Sequence, residues 1–198
     1  MAVLIALKVF PKLGLVDRPD RYGLKRKPIP YPGGILLYLV FVAVSLIFFE
    51  PTLKLLGLLF AGGVLVIVSF LDDRLDLPPL LRIGIQIAVA AVLVAAGIGI
   101  ASITNPFGGH IVLDALQSEF TLGNMTYTIV WLSAGFTVVW ILTFVNTMNW
   151  LDGIPGMVSG ISAIGGLTLF FLSITPMVNQ PDVAALALIV AMMARNGV

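Results

Sequence analysis

The amino-acid sequence predicts an all-α integral membrane protein, a multi-span helical bundle with a small β-hairpin on its outer side. Three observations carry this prediction. Hydrophobic residues make up 59% of the 198 residues and charged residues only 11%, whereas a soluble domain is about one quarter charged. Several uncharged stretches are long enough for a spanning helix of ~20 residues. All eleven Lys and Arg residues except Lys54 fall on one side of the predicted spans.

The composition also excludes several kinds of function. A net charge of +1 gives no basis for nucleic-acid binding, which needs a strongly basic surface. The absence of cysteine excludes a disulfide framework, a thiolate nucleophile and a cysteine-based metal site. His110 is the single histidine, so a histidine-rich metal site cannot form within this sequence.

The uncharged stretches predict about five full spans and two partial ones. The full spans are placed at about 33–49, 54–71, 83–101, 127–147 and 156–174. Residues 1–10 and 183–194 are apolar but too short to cross a bilayer, and we interpret both as truncated helices. Residues 1–198 are therefore predicted to form a single polytopic membrane domain that is truncated at the C-terminus, with a truncation at the N-terminus left open.

The distribution of Lys and Arg orients these spans. Alternating the spans places 11–32, 72–82, 146–155 and 195–198 on one side. With Lys8 at its edge, this side carries every basic residue except Lys54. Basic loops remain in the cytoplasm, so this side is predicted to be cytoplasmic. The opposite loop, at about 102–126, contains short apolar runs around His110–Asp114 and Phe120–Tyr127. These runs, with Gly-Asn between strand-like residues, predict the outer β-hairpin.

The first cytoplasmic loop combines basic residues with prolines and glycines. Lys25, Arg26 and Lys27 precede Pro28-Ile29-Pro30-Tyr31-Pro32-Gly33-Gly34. One interpretation is that the basic residues fix topology and contact anionic lipid. The other is a phosphate-binding loop, because the prolines stiffen the approach and the glycines allow close backbone packing.

The second cytoplasmic loop opens with Asp72 and Asp73 directly after an apolar stretch. Carboxylates at a helix C-terminus are disfavoured by the helix dipole, so a functional reason for the pair is expected. We predict a site that binds a cation or needs a base at the membrane edge. The alternative is a solvated pair assisted by Arg74. Gln86, one turn beyond Arg82, is expected to line a site or to bond a neighbouring helix.

The third cytoplasmic segment contains Asn146, Asn149 and Asp152. At the helical period these side chains share one face about 120° wide. Amide and carboxylate oxygens are ligands suited to Mg²⁺, and the neighbouring basic loop suits the phosphates of a Mg²⁺-bound substrate. The alternative is a polar helix end that meets lipid headgroups, with Asp152 as a cap.

These residues together resemble a known family, the polyprenyl-phosphate N-acetylhexosamine-1-phosphate transferases of glycosyl transferase family 4, which include the phospho-N-acetylmuramoyl-pentapeptide transferases. The resemblance rests on four features, in this order along the chain: Asp17-Arg18-Pro19, Pro28-Ile29-Pro30 with Gly33-Gly34, Asp72-Asp73, and Asn146-x-x-Asn149-x-x-Asp152-Gly153. It covers essentially the whole chain. The Asp pair and the Asn/Asp motif are specific in combination, although either one alone would be weak.

The resemblance implies a Mg²⁺-dependent phosphoglycosyltransferase of the prokaryotic plasma membrane. Such enzymes transfer a sugar 1-phosphate from a UDP-sugar to polyprenyl phosphate at the cytoplasmic face and release UMP, as the first membrane step of cell-envelope glycan synthesis. By this resemblance Asp72 is the base, Asp73 supports it, and Asn149 and Asp152 lie at the metal. Asn146 would orient these groups within the substrate site, with Lys25, Arg26 and Lys27 near the phosphates. A homodimer is left open.

The sequence departs from the family pattern in three ways. Pro155 stands where the family usually carries a second aspartate associated with the nucleotide, and Leu24–Lys27 contains no histidine. The family's Gly-Asp-x-Gly-Ser motif and histidine-rich loop lie further along than Val198. An inactive membrane fragment or partner subunit is therefore one alternative function. A channel or transporter is the other, and it would require polar residues at mid-membrane depth.

Overall fold

The computed structural model describes residues 33–122, 125–154 and 156–194. Within these ranges the chain is mainly helical and contains two short antiparallel hairpins. The helices are α1 (Gly33–Phe48), α2 (Leu53–Leu75), α3 (Pro79–Ala95), α4 (Trp131–Leu151), α5 (Met157–Ser173) and α6 (Pro181–Ala194). The strands, all between α3 and α4, are β1 (Ser102–Thr104), β2 (His110–Val112), β3 (Gln117–Leu122) and β4 (Met125–Val130). The helical fold class is thus confirmed.

The loop between α2 and α3 is much shorter than the sequence predicts. Because α2 continues to Leu75 and α3 starts at Pro79, only three residues separate the two helices. Pro79 is the first residue of α3, the position where a missing N–H costs nothing. Asp76 has a positive φ of 49°, so its left-handed backbone ends α2. The predicted loop at 72–82 is therefore wrong at both ends.

The loop predicted to be outer forms two hairpins in the described residues, where the sequence predicts one. Residues His110–Val112 pair with Ser102–Thr104 and not with the stretch around 120–127. The second hairpin pairs β3 with β4, with Leu122 opposite Met125. Trp131, the first residue of α4, joins this hairpin because its indole Nε1–H donates to Ser118 Oγ at 2.8 Å. Strand β4 therefore occupies part of the predicted fourth span.

The chain divides into two compact units. Among the described residues, one unit comprises 33–51, 66–76 and 149–194, and the other comprises 52–65 and 77–148. In the first unit, α5 packs on α6 through Gly166, because a Cβ at this position would lie 2.8 Å from the Ala187 carbonyl oxygen and 3.0 Å from Ala191 Cβ. Only a glycine permits this approach.

The second unit has a small apolar core made by α2, α3 and α4. Ala61, Val89 and Leu93 are buried there, and Ile141 of α4 packs against them. The N-terminal part of α2 approaches the end of α3 closely, since a Cβ at Gly57 would lie 2.6 Å from Ala96 Cβ.

A side-chain clamp holds the loop after α3 in the second unit. The N–H of Ile100 donates to Thr137 Oγ1 at 2.9 Å, and Ser133 Oγ donates to the Ile100 carbonyl at 2.8 Å. Beside this clamp lies a mostly apolar cavity of about 620 Å³ between the C-terminal end of α3, β4 and the start of α4. Because both backbone groups of Ile100 are bonded, the loop presents little unsatisfied polarity to its apolar surroundings.

The helices expose large apolar side chains that water would disfavour. Ile67, Phe144 and Phe171 are 60%, 53% and 61% exposed. By length and composition α2 and α4 qualify as membrane spans, and only 22% and 6% of their most apolar windows are buried. The other four described helices are apolar but have 14 to 17 residues. The structure therefore supports a helical membrane protein with two membrane-capable helices, and the number of spans remains a prediction.

Candidate active site

Asp72 and Asp73 lie in the last turn of α2 and not in a loop. Asp72 is half-buried and Asp73 is exposed. The helix closes beyond them because the Asp76 N–H donates to the Asp72 carbonyl at 2.9 Å, the bond of a left-handed helix cap. The guanidinium of Arg74 lies 4.9 Å from the centre of the Phe70 ring, a cation–π contact within the same helix. Asp72 and Asp73 are therefore carried by the end of a helix and not by a loop.

Asn149 and Asp152 lie where α4 ends. Asn149 belongs to the last turn, and Asp152 opens the turn that follows Leu151. The N–H groups of Gly153 and Ile154 donate to the carbonyls of Trp150 and Leu151, which tightens the helix end. The side chains of Asn149 and Asp152 are exposed, so their oxygens are accessible to a ligand.

Four predicted site residues belong to the same compact unit. Asp72, Asp73, Asn149 and Asp152 all lie in the unit that contains 66–76 and 149–194, although about 80 positions separate the two pairs in sequence. Each pair is located at a helix end. Their convergence on one cation remains a prediction.

Asn146 lies in the second unit and makes a hydrogen bond that crosses between two helices. Its Nδ2 donates to Gln86 Oε1 of α3 at 2.8 Å and to the Leu142 carbonyl of its own helix at 2.8 Å. Gln86 is 8% exposed and Asn146 is half-buried. Of the two roles expected for Gln86, the bond to a neighbouring helix is confirmed. The sequence signal was an amide side chain at Gln86 in a helix whose residues after Arg82 are otherwise apolar.

The donor atoms present suit magnesium better than a transition metal. In the described ranges, no group of three or more His, Asp or Glu side chains is arranged to hold a metal without help. Mg²⁺ does not need such a cage, since it is usually held by one or two carboxylates together with substrate phosphates and water. The carboxylate and amide side chains of Asp73, Asn149 and Asp152, all of them exposed, are of the type that this mode of binding uses.

The predicted phosphate-binding residues Lys25, Arg26 and Lys27 lie outside the described residues. So does Pro155, the position at which the sequence departs from the family's second aspartate. Their part in the site therefore stays a prediction from the sequence.

Comparison with known proteins identifies a family whose sequence pattern this chain matches. The sequence profile described as "Glycosyl transferase family 4" matches residues 55–195. The matched region includes the Asp72-Asp73 pair and the Asn146, Asn149 and Asp152 motif.

The chain belongs to glycosyl transferase family 4.

Curated family members from several bacteria resemble this chain. It is 27% identical over 174 residues to the probable undecaprenyl-phosphate N-acetylglucosaminyl 1-phosphate transferase of Bacillus subtilis, covering 86% of this chain and 44% of the relative. It is 31% identical over 173 residues to the undecaprenyl-phosphate alpha-N-acetylglucosaminyl 1-phosphate transferase of Escherichia coli K12, covering 84% and 42%. It is 29% identical over 174 residues to the decaprenyl-phosphate N-acetylglucosaminephosphotransferase of Mycolicibacterium smegmatis, covering 82% and 39%.

This glycosyl transferase family 4 chain spans less than half the length of these curated relatives. No solved structure matches it. The family assignment therefore rests on sequence similarity.

Proposed function

We propose that this protein transfers a sugar 1-phosphate, N-acetylhexosamine 1-phosphate, from a UDP-sugar to polyprenyl phosphate and releases UMP. One observation carries the proposal. The family match covers both polar helix ends, Asp72-Asp73 and Asn149-x-x-Asp152, and the structure assigns both to one compact unit. The relatives named above are transferases that act with undecaprenyl or decaprenyl phosphate.

In the proposed reaction, an oxygen of the polyprenyl phosphate attacks the phosphorus that carries the sugar. The bond between this phosphorus and the bridging oxygen breaks, and UMP leaves with that oxygen. Asp72 accepts the proton of the lipid phosphate, so that the attacking oxygen is fully ionised. Its half-buried position in the last turn of α2 holds the carboxylate in a fixed direction. Asp73, the next residue on the helix, supports Asp72.

Asn149 and Asp152 are the residues proposed to hold the magnesium ion. When bound, the ion neutralises the diphosphate and stabilises the charge that develops on the leaving UMP. The exposed side chains of Asn149 and Asp152 would hold this ion and thereby orient the donor. Lys25, Arg26 and Lys27 are proposed to contact the phosphates, since their charges complement the diphosphate.

The reaction is proposed to take place at the cytoplasmic face of a multi-pass membrane protein. The basic residues of the sequence support this orientation. The apolar side chains exposed on the helices, such as Ile67 and Phe171, provide a surface compatible with lipid tails. An acceptor phosphate can therefore remain at the membrane surface while its isoprenoid chain stays within the bilayer.

A channel or transporter is the less supported alternative. Such proteins place ionisable residues within the membrane along the conduction path. In the described helices, the acidic residues Asp72, Asp73 and Asp182 lie only in terminal turns. That placement favours chemistry at the membrane surface. The other alternative, an inactive membrane fragment or partner subunit, is separated from the enzyme by the assay below.

The test is UMP release from UDP-N-acetylglucosamine by the purified protein in detergent, with polyprenyl phosphate and Mg²⁺. We expect UMP and a lipid-linked sugar diphosphate in equal amounts, and no UMP when either the lipid or Mg²⁺ is omitted. UDP-N-acetylgalactosamine and UDP-glucose in place of the donor would define the sugar. UMP release without a lipid product would contradict transfer, and no release from any UDP-sugar would support the inactive alternative.

A further inference from the structure

The carboxamide of Asn146 has its orientation fixed by two acceptors. Both hydrogen bonds of Nδ2 are directed to oxygen atoms, Gln86 Oε1 and the Leu142 carbonyl, each at 2.8 Å. An amide nitrogen carries two hydrogens, so these two bonds use its full donor capacity. Rotating the amide by 180° would bring Asn146 Oδ1 against these two acceptor oxygens. The Oδ1 atom must therefore lie on the opposite side of the amide.

The remaining atom, Oδ1, is an acceptor without a donor among the described residues. Asn146 is half-buried, so water has only partial access to its side chain. It lies on the same helix as Asn149, one turn before it. On α4 the two amides face in similar directions, because residues three apart lie on one side of a helix.

Gln86 is held more rigidly than Asn146. It is 8% exposed, within the buried part of α3, and a buried side chain has few alternative rotamers. The Leu142 carbonyl belongs to the same helix as Asn146 and would accept from many asparagines in this position. Gln86 is thus the partner that comes from outside the helix, and its bond adds to that of the Leu142 carbonyl in holding the amide in this orientation.

We propose that Gln86 is a positioning residue that fixes Asn146 so that Oδ1 is offered as an oxygen ligand for a divalent cation. This inference rests on the proposed function, because the cation is the one that would bind the diphosphate. The chemical class of the ligand, a divalent cation, follows from the atom that Asn146 presents, its carbonyl oxygen Oδ1. A fixed amide oxygen with no donor beside it suits a hard cation, whereas a phosphate would be repelled by it.

The experiment measures Mn²⁺ binding by electron paramagnetic resonance to the purified protein in lipid nanodiscs without substrate, with Mg²⁺ competition. In Gln86→Met the side chain keeps its length but loses the strong acceptor. We expect its Mn²⁺ dissociation constant to rise about three- to ten-fold, the effect of losing one hydrogen bond. Gln86→Glu keeps an acceptor for Asn146 Nδ2 and should restore affinity to within about two-fold. Asn146→Leu should weaken Mn²⁺ binding at least as much as Gln86→Met.

Thr137→Val is the matched control. Thr137 is a buried polar residue of α4, 3% exposed, and it accepts a hydrogen bond from the Ile100 N–H. This variant loses two hydrogen bonds, the one from the Ile100 N–H and the one that Thr137 donates to the Ser133 carbonyl, but it should bind Mn²⁺ as the unmodified protein does. Equal weakening in Thr137→Val and Gln86→Met would overturn the inference, because the effect would then be a general loss of stability.

Two further outcomes separate the inference from the proposed function. Unchanged Mn²⁺ affinity in Gln86→Met, with weakened binding in Asn146→Leu, would overturn the role of Gln86 and leave the transferase proposal intact. Conversely, the expected Mn²⁺ series in a protein that releases no UMP would support Gln86 as a positioning residue while the transferase proposal failed.

Discussion

The N–H of Asp76 donates to the carbonyl of Asp72 at 2.9 Å and so ends α2 four residues after the proposed base. Asp76 adopts the left-handed conformation, with φ at 49°. The backbone carbonyl of Asp72 thus closes the helix, and its side chain is half-buried. Asp72 and Asp76 lie at the same helix end, but only Asp72 is proposed to act as the base.

This difference predicts opposite outcomes for two matched substitutions. Asp72→Asn keeps the size of the side chain and removes its basicity. We expect transfer to fall by about 10²–10⁴-fold, the usual contribution of a general base, while the KM for the UDP-sugar changes much less. Asp76→Asn should leave turnover and stability nearly unchanged, because asparagine also tolerates the left-handed conformation. Turnover of Asp72→Asn near that of the unmodified protein would refute the base assignment.

Asp152→Asn tests the metal assignment. The variant retains one ligand oxygen but loses the charge that attracts the cation. We expect the Mg²⁺ concentration for half-maximal activity and the KM for the UDP-sugar to rise together, each roughly ten-fold or more, since even the partners of metal ligands contribute about 10–100-fold. Kinetics over a Mg²⁺ series measure both quantities. A change in kcat alone would argue that Asp152 does not hold the cation.

The membrane orientation can be tested with single cysteines, because the sequence has none of its own. Cysteines at Lys25, Arg74 and Ile154 are expected to resist a membrane-impermeant thiol reagent in intact cells and to react after permeabilisation. A cysteine at His110, which is exposed at the start of β2, should react in intact cells. Labelling of Lys25→Cys from outside would reverse the orientation and place the proposed site on the wrong face.

Two adjacent glycines of α5 should respond to alanine in opposite ways. A Cβ at Gly166 would lie 2.8 Å from the Ala187 carbonyl oxygen, whereas a Cβ at Gly165 has no atom within 4 Å. Gly166→Ala should therefore lower stability by about 1–3 kcal/mol through overpacking. Gly165→Ala should raise stability by roughly 0.5–1 kcal/mol, because alanine favours the helix. Thermal unfolding in detergent compares the two, and equal midpoints would mean that α6 does not pack on Gly166.

The sequence predicted the helices well because long apolar stretches have few alternatives in a membrane. It failed at helix ends, because the residue at which a helix ends depends on the local backbone conformation. Helix α2 ends just before Asp76, whose backbone is in the left-handed conformation. Glycine or asparagine is the residue usually found at such a helix end. The sequence also failed in the loop predicted to be outer, where His110–Val112 pairs with Ser102–Thr104. A local turn joins these strands, closed by the bond from the Asn105 N–H to the Gly109 carbonyl and by Gly108 and Gly109 at positive φ.

The residue types of the candidate site could be predicted from the sequence. The contacts that these residues make could be predicted only in part. Asn146, Asn149 and Asp152 follow one another at intervals of three residues, so the helical period predicts that they share one face. The bond between Asn146 and Gln86 joins positions 60 residues apart, and neither a motif nor a periodicity links them. Such a contact follows from how α3 and α4 pack, which a single sequence does not specify.

The unequal lengths of α2 and α3 have a consequence for the surrounding lipid. At 1.5 Å per residue, the 23 residues of α2 reach roughly 34 Å, whereas the 17 residues of α3 reach roughly 25 Å. The hydrocarbon core of a typical bilayer is ~30 Å thick. Gly57 and Ala96 lie close together at one end of the two helices. If both helices cross the bilayer, as the sequence predicts, the bilayer would thin beside α3, the shorter of the two. Acyl-chain length should therefore tune this protein: short-chain lipids should relieve the mismatch at α3, and long-chain lipids should strain it.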